Sequence, residues 1–242
     1  MQSQRRNMDN QAYSPYAGIW VGFAVISLWF LVLGYLLSVD LSETGPWIYF
    51  GVLIQTHLYT GLFITAHDAM HGSVFPSNLK INHIIGRLCT TLFMFNSYKI
   101  LKPKHYLHHR FAGTDRDPDY FKKSANFFRW YFDFLKEYVS IKQIILAAIT
   151  FNVLKLFIPQ SNLIIFWIIP SFLSTLQLFY FGTYVPHMGE HDHDNPHNST
   201  TLPKNHVWAF LSCYFFGYHY EHHDSPTTPW WRLWRVKEKS IG

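Results

Sequence analysis

The chain has 242 residues, 49% apolar and 19% aromatic, and only 14% of them are charged, against roughly a quarter in an average soluble domain. That balance excludes a disordered chain and a fold with an ordinary water-facing surface, and the length suits one domain. The net charge of +5 does not point to nucleic acid, because the bases flank apolar runs instead of lying among stacking aromatics on a polar face.

Ala17 to Leu37 carries no charge and is long enough, at 1.5 Å per residue, to cross a hydrocarbon core of roughly 30 Å. Pro46 to Ala66 is equally uncharged and runs straight into His67. Ile84 to Tyr98 is apolar but too short to cross, which predicts an interfacial or half-buried helix. Ile141 to Ile158 and Leu163 to Val185 are two further spans, joined by the tight connection Pro159 to Asn162, and Lys142 and Lys155 sit near the ends of the first of them, where they can snorkel. Val207 to Tyr218 is a second short apolar stretch. Trp230, Trp231 and Trp234 with Arg232 and Arg235 have the make-up of an interfacial belt. The first apolar run starts too far into the chain, and without a cleavage pattern, for a signal peptide.

The expected fold is therefore an all-α integral membrane domain over residues 1–242. Four transmembrane helices carry a cytoplasmic cap of short and interfacial helices. Nineteen of the twenty Lys and Arg fall on the side of the termini and the central loop, and only Lys155 lies on the other, so the termini are expected in the cytoplasm. The opposite loop, Ser38 to Gly45, holds Asp40 and Glu43 and no base. The sequon at Asn198 then lies on the cytoplasmic side and is expected to stay unglycosylated.

Fifteen histidines are roughly three times the number expected, and they are clustered. His67-Asp68-Ala69-Met70-His71 places two imidazoles on one helix face. His105-Tyr106-Leu107-His108-His109 follows in the central loop. His187-Met188-Gly189-Glu190-His191, trailed by His193 and His197, follows the fourth span, and His219-Tyr220-Glu221-His222-His223 repeats the H-x-x-H-H spacing. All four groups fall at one side of the membrane in the topology just read from apolar runs and bases. Eight or nine imidazoles exceed the three or four ligands of a zinc site and suffice for two ions of five or six coordination. Nitrogen ligation alone does not choose among iron, zinc, copper and nickel. Asp68, Glu190 and Glu221 are placed to orient ligands. His57, His83 and His206 stand alone and are expected to be ordinary satisfied side chains. Cys89 and Cys213 lie in apolar stretches and suggest neither a disulfide nor a thiolate site.

HDAMHG, HYLHHR followed by FAGTDRDPDYF, HMGEHDHDN and YHYEHH together resemble the histidine boxes of the membrane superfamily of fatty-acid desaturases and alkane hydroxylases. Their flanks are most similar to the β-carotene ketolases of bacterial and cyanobacterial type. The resemblance runs from the first span to Trp234. It implies a non-haem di-iron centre, with O2 as co-substrate, that hydroxylates C4 of a β-ionone ring twice; loss of water then leaves a ketone, giving echinenone and then canthaxanthin. Carried over box by box, it implies His67, His71, His105, His108, His109, His191, His219, His222 and His223 as ligands. The desaturase element N-x-x-x-H aligns its histidine with His191 and its asparagine with His187, which leaves His187 as a supporting or alternative ligand beside Asp68, Glu190 and Glu221. His193 and His197 have no counterpart in the wider superfamily.

Aromatics near the boxes, among them Trp130, Tyr131, Phe134, Phe179, Tyr180, Phe215 and Tyr218, are candidates to line a path for a polyene entering from the bilayer. No dinucleotide fingerprint, P-loop, or haem or iron–sulfur cysteine pattern occurs. Electrons are expected from an external donor, a ferredoxin with its reductase, drawn to the basic face. The competing readings are a carotenoid hydroxylase or a fatty-acid desaturase of the same superfamily and, more remotely, a histidine-rich metal transporter. The bacterial hydroxylases carry H-x-x-x-x-H in the first box, unlike His67-x-x-x-His71 here, and transporters place their ligands near the bilayer midplane.

Overall fold

A computed structural model describes residues 14–121 and 126–241, and within them every regular element is helical. Helix α1 (Ala17–Ser38) is apolar all round. It buries Gly18, Gly22, Val25, Trp29, Leu33 and Leu36 at three- and four-residue spacing, while Trp20, Phe23 and Leu31 on the other side are 62–70% exposed. Large apolar side chains left open along a whole helix face belong in lipid. Helix α2 (Phe50–Met70), entered through a 3-10 turn at Pro46–Tyr49, is the central element, and its second half is closed off on nearly every side. It runs antiparallel to α1. Gly18 meets the backbone of Val74 so closely that an added Cβ would lie 2.2 Å from the Val74 carbonyl oxygen.

The short apolar stretch after α2 is half-buried, with Asn82, Gly86, Cys89 and Thr90 turned inward. Helix α3 (Leu79–Leu92), N-capped by Asn78, packs back along α2 until Phe93 meets Tyr59 and Phe63. The chain reverses there through Met94 and Phe95, both left-handed (φ 52° and 60°), a conformation costing about 1–2 kcal/mol per residue outside glycine. Helix α4 (Tyr98–Phe111) then returns toward the C-terminal end of α2, with Tyr98 packed on Gly86, where a Cβ would fall 2.2 Å from the ring.

Helix α5 (Phe127–Tyr138), capped by Asn126, turns its aromatic face to the next span and meets α6 (Ile141–Leu154) at a bend of 85°. The third expected span is thus corrected. The helix stops at Leu154, and its 14 residues reach about 21 Å, short of a crossing unless the bent pair is counted together. None of its residues is buried.

Helix α7 (Gln160–His187) is one run of 28 residues with π-helical turns at Leu163–Ile168 and Tyr180–Tyr184. Each turn directly precedes a proline, Pro170 or Pro186. A proline supplies no N–H and crowds the carbonyl one turn back, so the preceding carbonyls re-pair one residue further on. Helix α8 (His206–Cys213) ends in a second left-handed pair, Tyr214 and Phe215, and α9 (His219–Asp224) and α10 (Leu233–Ile241) follow. Among the described residues, three helices, or four with the bent pair, are long and apolar enough to cross a membrane. The C-terminal ends of α2, α4 and α7 meet α9 at one end of the bundle.

Candidate metal centre

The histidines gather there into two groups. His67, His71, His105, His109 and His222 form one and His108, His187, His219 and His223 the other, each with its ring nitrogens within 4.8 Å of one another. In the first, Nε2 atoms face each other at 2.6 Å for His71 and His105, 3.0 Å for His67 and His222, 3.0 Å for His222 and His109, and 3.1 Å for His109 and His105. In the second, His187 lies 2.9 Å from His219, while His223 is 3.0 Å from His219 and 3.1 Å from His108. The groups adjoin, with the rings of His109 and His223 4.3 Å apart.

Local structure explains the convergence. In α4 and α9 alike, H-x-x-H-H puts its first and last histidines on one helix face and the middle one a turn along. The middle histidine of α4, His108, joins the second group, whereas that of α9, His222, joins the first, so each helix serves both.

The donor set fits metal ions. His108 Nδ1 points at the Asp117 carboxylate (3.0 Å) and His187 Nδ1 at the Asn198 carbonyl oxygen (2.7 Å), with His67 Nδ1 3.3 Å from Asp68. An acceptor at Nδ1 requires the proton there, which leaves Nε2 a bare lone pair. Bare lone pairs aimed at one another repel unless a cation lies among them. Metal–nitrogen bonds of about 2.0–2.1 Å also place neighbouring ligands of a five- or six-coordinate ion roughly 3 Å apart, as these nitrogens are. Burial, with the neighbouring imidazoles second, holds His105, His219, His222 and His223 well below the ordinary histidine range and His109 at about 2. Burial and then Lys102 lower His71 to about 4. Rings kept neutral in this way are competent ligands. His108 is the exception, since burial pulls it down but the carboxylates of Asp119 and Asp117 outweigh that and the net shift is upward.

His191 joins neither group, and His187 occupies the position expected of it. The helix ends at His187, Met188 is extended and Gly189 has φ +87°, so the i, i+4 projection that would bring His191 inward does not exist. His191 is half-buried, with an unpartnered Nε2. Glu190 and His193 are exposed and His197 lies at the margin, 4.0 Å from Asp224. Asp68 lies 3.3 Å from His67 Nδ1 through one oxygen, and its other oxygen accepts from the backbone N–H of Trp230 (2.9 Å). Glu221 touches no imidazole. It is tied to Lys237 (2.9 Å), Thr201 (2.5 Å) and Ser240 (3.2 Å), fastening α9 to α10. Among the lone histidines, His57 stacks on Tyr214 and His83 and His206 bond tyrosine hydroxyls.

Asp117 and Asp119 were not singled out in the sequence, although they stand in the FAGTDRDPDYF flank, and Asn198 was noted only as a sequon. Asp117 also accepts from the Gly113 and Asp119 backbone N–H groups. Asp119 lies 3.7 Å from His108 and accepts a short hydrogen bond from the Tyr138 hydroxyl, and burial raises its carboxyl to about 6.

A cavity of about 430 Å³ leads to the histidines. Its walls run along α7 from Ile168 to Thr183, about 22 Å, and include Phe63, Phe93, Phe134, Phe151, Phe172 and Phe216. His67, His105, His108 and His219 close its end. Of the aromatics expected to line such a path, only Phe134 does. Trp130, Tyr131, Phe179 and Tyr180 pack among themselves and with Phe127 and Tyr184 between α5 and α7, and Phe215 and Tyr218 pack under α8.

The fatty acid desaturase family profile matches residues 44–154 and 138–241. A β-carotene ketolase from Paracoccus sp. (strain N81106 / MBIC 01143) is 37% identical over 223 residues, 91% of this chain and 88% of that protein. The chain belongs to the fatty acid desaturase family, among the β-carotene ketolases. A second β-carotene ketolase, from Paracoccus sp. (strain PC1), is 41% identical over 187 residues, 76% of each chain. A zeaxanthin 4-ketolase from Chlamydomonas reinhardtii is 36% identical over 230 residues, 93% of this chain and 52% of the algal protein, so the chain spans about half of that relative's length. Membership of this family makes the chain a membrane oxidoreductase.

Proposed function

We propose that this protein is a membrane carotenoid ketolase that introduces a 4-keto group into β-ionone rings, turning β-carotene into echinenone and then canthaxanthin. The observation that carries the reading is a long apolar cavity that ends on both histidine groups. His67, His71, His105, His109 and His222 would hold one iron and His108, His187, His219 and His223 the other. When bound, the pair supplies the activation of dioxygen needed to hydroxylate an allylic C–H bond.

The chain's own part is positioning. The phenylalanines along the cavity hold a rigid polyene lengthwise, so that a ring carbon arrives beside the histidines and water is kept out. Asp117 keeps the proton of His108 on Nδ1, and the Asn198 carbonyl does the same for His187. Counting α5 and α6 as one bent span gives four passages, which supports termini and histidine end sharing one side, and the surplus of bases on that side supports a cytoplasmic orientation. The surplus of bases there suits an acidic external donor such as a ferredoxin with its reductase.

Expression in a bacterium that makes β-carotene tests the reading. Echinenone and canthaxanthin are expected from the native chain and neither from a His108→Ala variant. Zeaxanthin, or newly unsaturated lipid beside untouched carotene, would overturn it.

A further inference from the structure

Three polar side chains facing the cavity spend hydrogen-bonding groups inside their own helix. Ser171 donates to the Ile168 carbonyl (2.7 Å), Thr175 to that of Ser171 (2.9 Å), and Asn152 to that of Ala148 (2.8 Å). Gln143 differs. It stands in the first turn of α6 and lines the cavity, and its Oε1 is closed from solvent yet accepts no hydrogen bond. Outside the histidine groups, it is the one cavity-lining side-chain atom of that kind among the described residues. Gln143 also lies toward the histidine end. Just across the α5–α6 bend, Tyr138 shares the cavity wall and donates to Asp119, which is 3.7 Å from His108.

A buried amide oxygen without a donor is unfavourable, and a hydrocarbon filling the cavity leaves it so. A ring hydroxyl close to the reacting carbon supplies the donor. We infer that Gln143 Oε1 accepts a hydrogen bond from a hydroxyl on the β-ionone ring, which makes Gln143 the residue that discriminates oxygenated rings from the bare hydrocarbon. The inference rests on the ketolase reading. That hydroxyl has two sources: it is already present on the carbon next to C4 in a 3-hydroxylated carotenoid, or the first hydroxylation places it on C4 itself. In the second case Gln143 retains the alcohol for its second oxidation.

Gln143→Met keeps the side chain's length and removes the acceptor. Zeaxanthin and β-carotene are titrated into native and variant holoenzyme without oxygen or reductant, and turnover products from β-carotene are then separated. The variant is expected to lose about tenfold in affinity for zeaxanthin relative to β-carotene, or to release about tenfold more 4-hydroxy intermediate per ketone. The first result assigns the hydroxyl on the neighbouring carbon, the second the one on C4. An unchanged preference together with an unchanged alcohol-to-ketone ratio overturns the inference, as does equal weakening for both carotenoids, which would mark simple packing. Those outcomes are read against a native chain that makes ketone. A native chain that makes none from either pigment overturns the ketolase reading, and this inference with it.

Discussion

The five-histidine group draws on α2, α4 and α9, and three of its rings are half-buried; the four-histidine group draws on α4, α7 and α9, and all its rings are closed from solvent. In the second, two rings are locked through Nδ1 by close oxygens, at 3.0 Å for His108 and 2.7 Å for His187. In the first, the one such contact among the described residues is that of His67 with Asp68 at 3.3 Å. The difference teaches that His108 and His187 are pre-set by their surroundings, whereas His219 and His223, whose buried Nδ1 atoms find no partner, and most of the first group would need a bound ion to order them. Loop residues do the pre-setting. Asp117 follows α4, and Asn198, at φ +42°, follows α7 and also donates to the Ala112 carbonyl (2.9 Å), so two connections are pinned together beneath the ligands.

Several substitutions break or sharpen that contrast. The largest effect belongs to the shared helix: His222→Ala removes an imidazole of the first group and His219→Ala one of the second, and each is expected to abolish ketocarotenoid in the pigment extract. Next comes Glu221→Ala. It leaves Lys237 buried without its partner, and since breaking a buried pair costs about 3–5 kcal/mol, the thermal unfolding midpoint in detergent should fall sharply while Glu221→Gln falls less. Asp117→Asn removes the charge that orients His108 and should weaken iron retention about 10- to 100-fold, measured by competition with a chelator. Asp68→Asn, acting through the longer contact, should weaken it less. The smallest effect is expected for His193→Ala, whose side chain is fully exposed, with iron content and pigment yield unchanged.

Much of the fold was legible because bilayer-crossing helices announce themselves by uncharged length, as 17–37, 46–66 and 163–185 do. The boxes were legible because imidazole in such numbers has no structural use in an apolar bundle. Other parts were hidden for physical reasons. Helix α5 escaped notice because its aromatics alternate with Arg129, Asp133 and Lys136, and it is long and apolar enough for a span only when counted together with α6 across their 85° bend. Ile84 to Tyr98 was read as an interfacial or half-buried helix, and its helical part is half-buried against α2; the reversal into α4 was hidden because nothing local signals that a Met-Phe pair will adopt left-handed angles. His191 was favoured over His187 on its alignment with the N-x-x-x-H element of the resembling family; the helix stops at His187 and the chain turns away at Gly189, which nothing in that alignment signals, and it is His187 that reaches the four-histidine group. Glu221 carried the composition of a ligand-orienting acid, but its partner Lys237 is distant in sequence.

Metal analysis of the purified protein, beside His187→Ala and His191→Ala, tests the central claim most directly. Two irons per chain in the native protein and in His191→Ala, with one fewer in His187→Ala, is the expected result. A native protein holding a single ion, or loss of iron from His191→Ala with retention in His187→Ala, would contradict it.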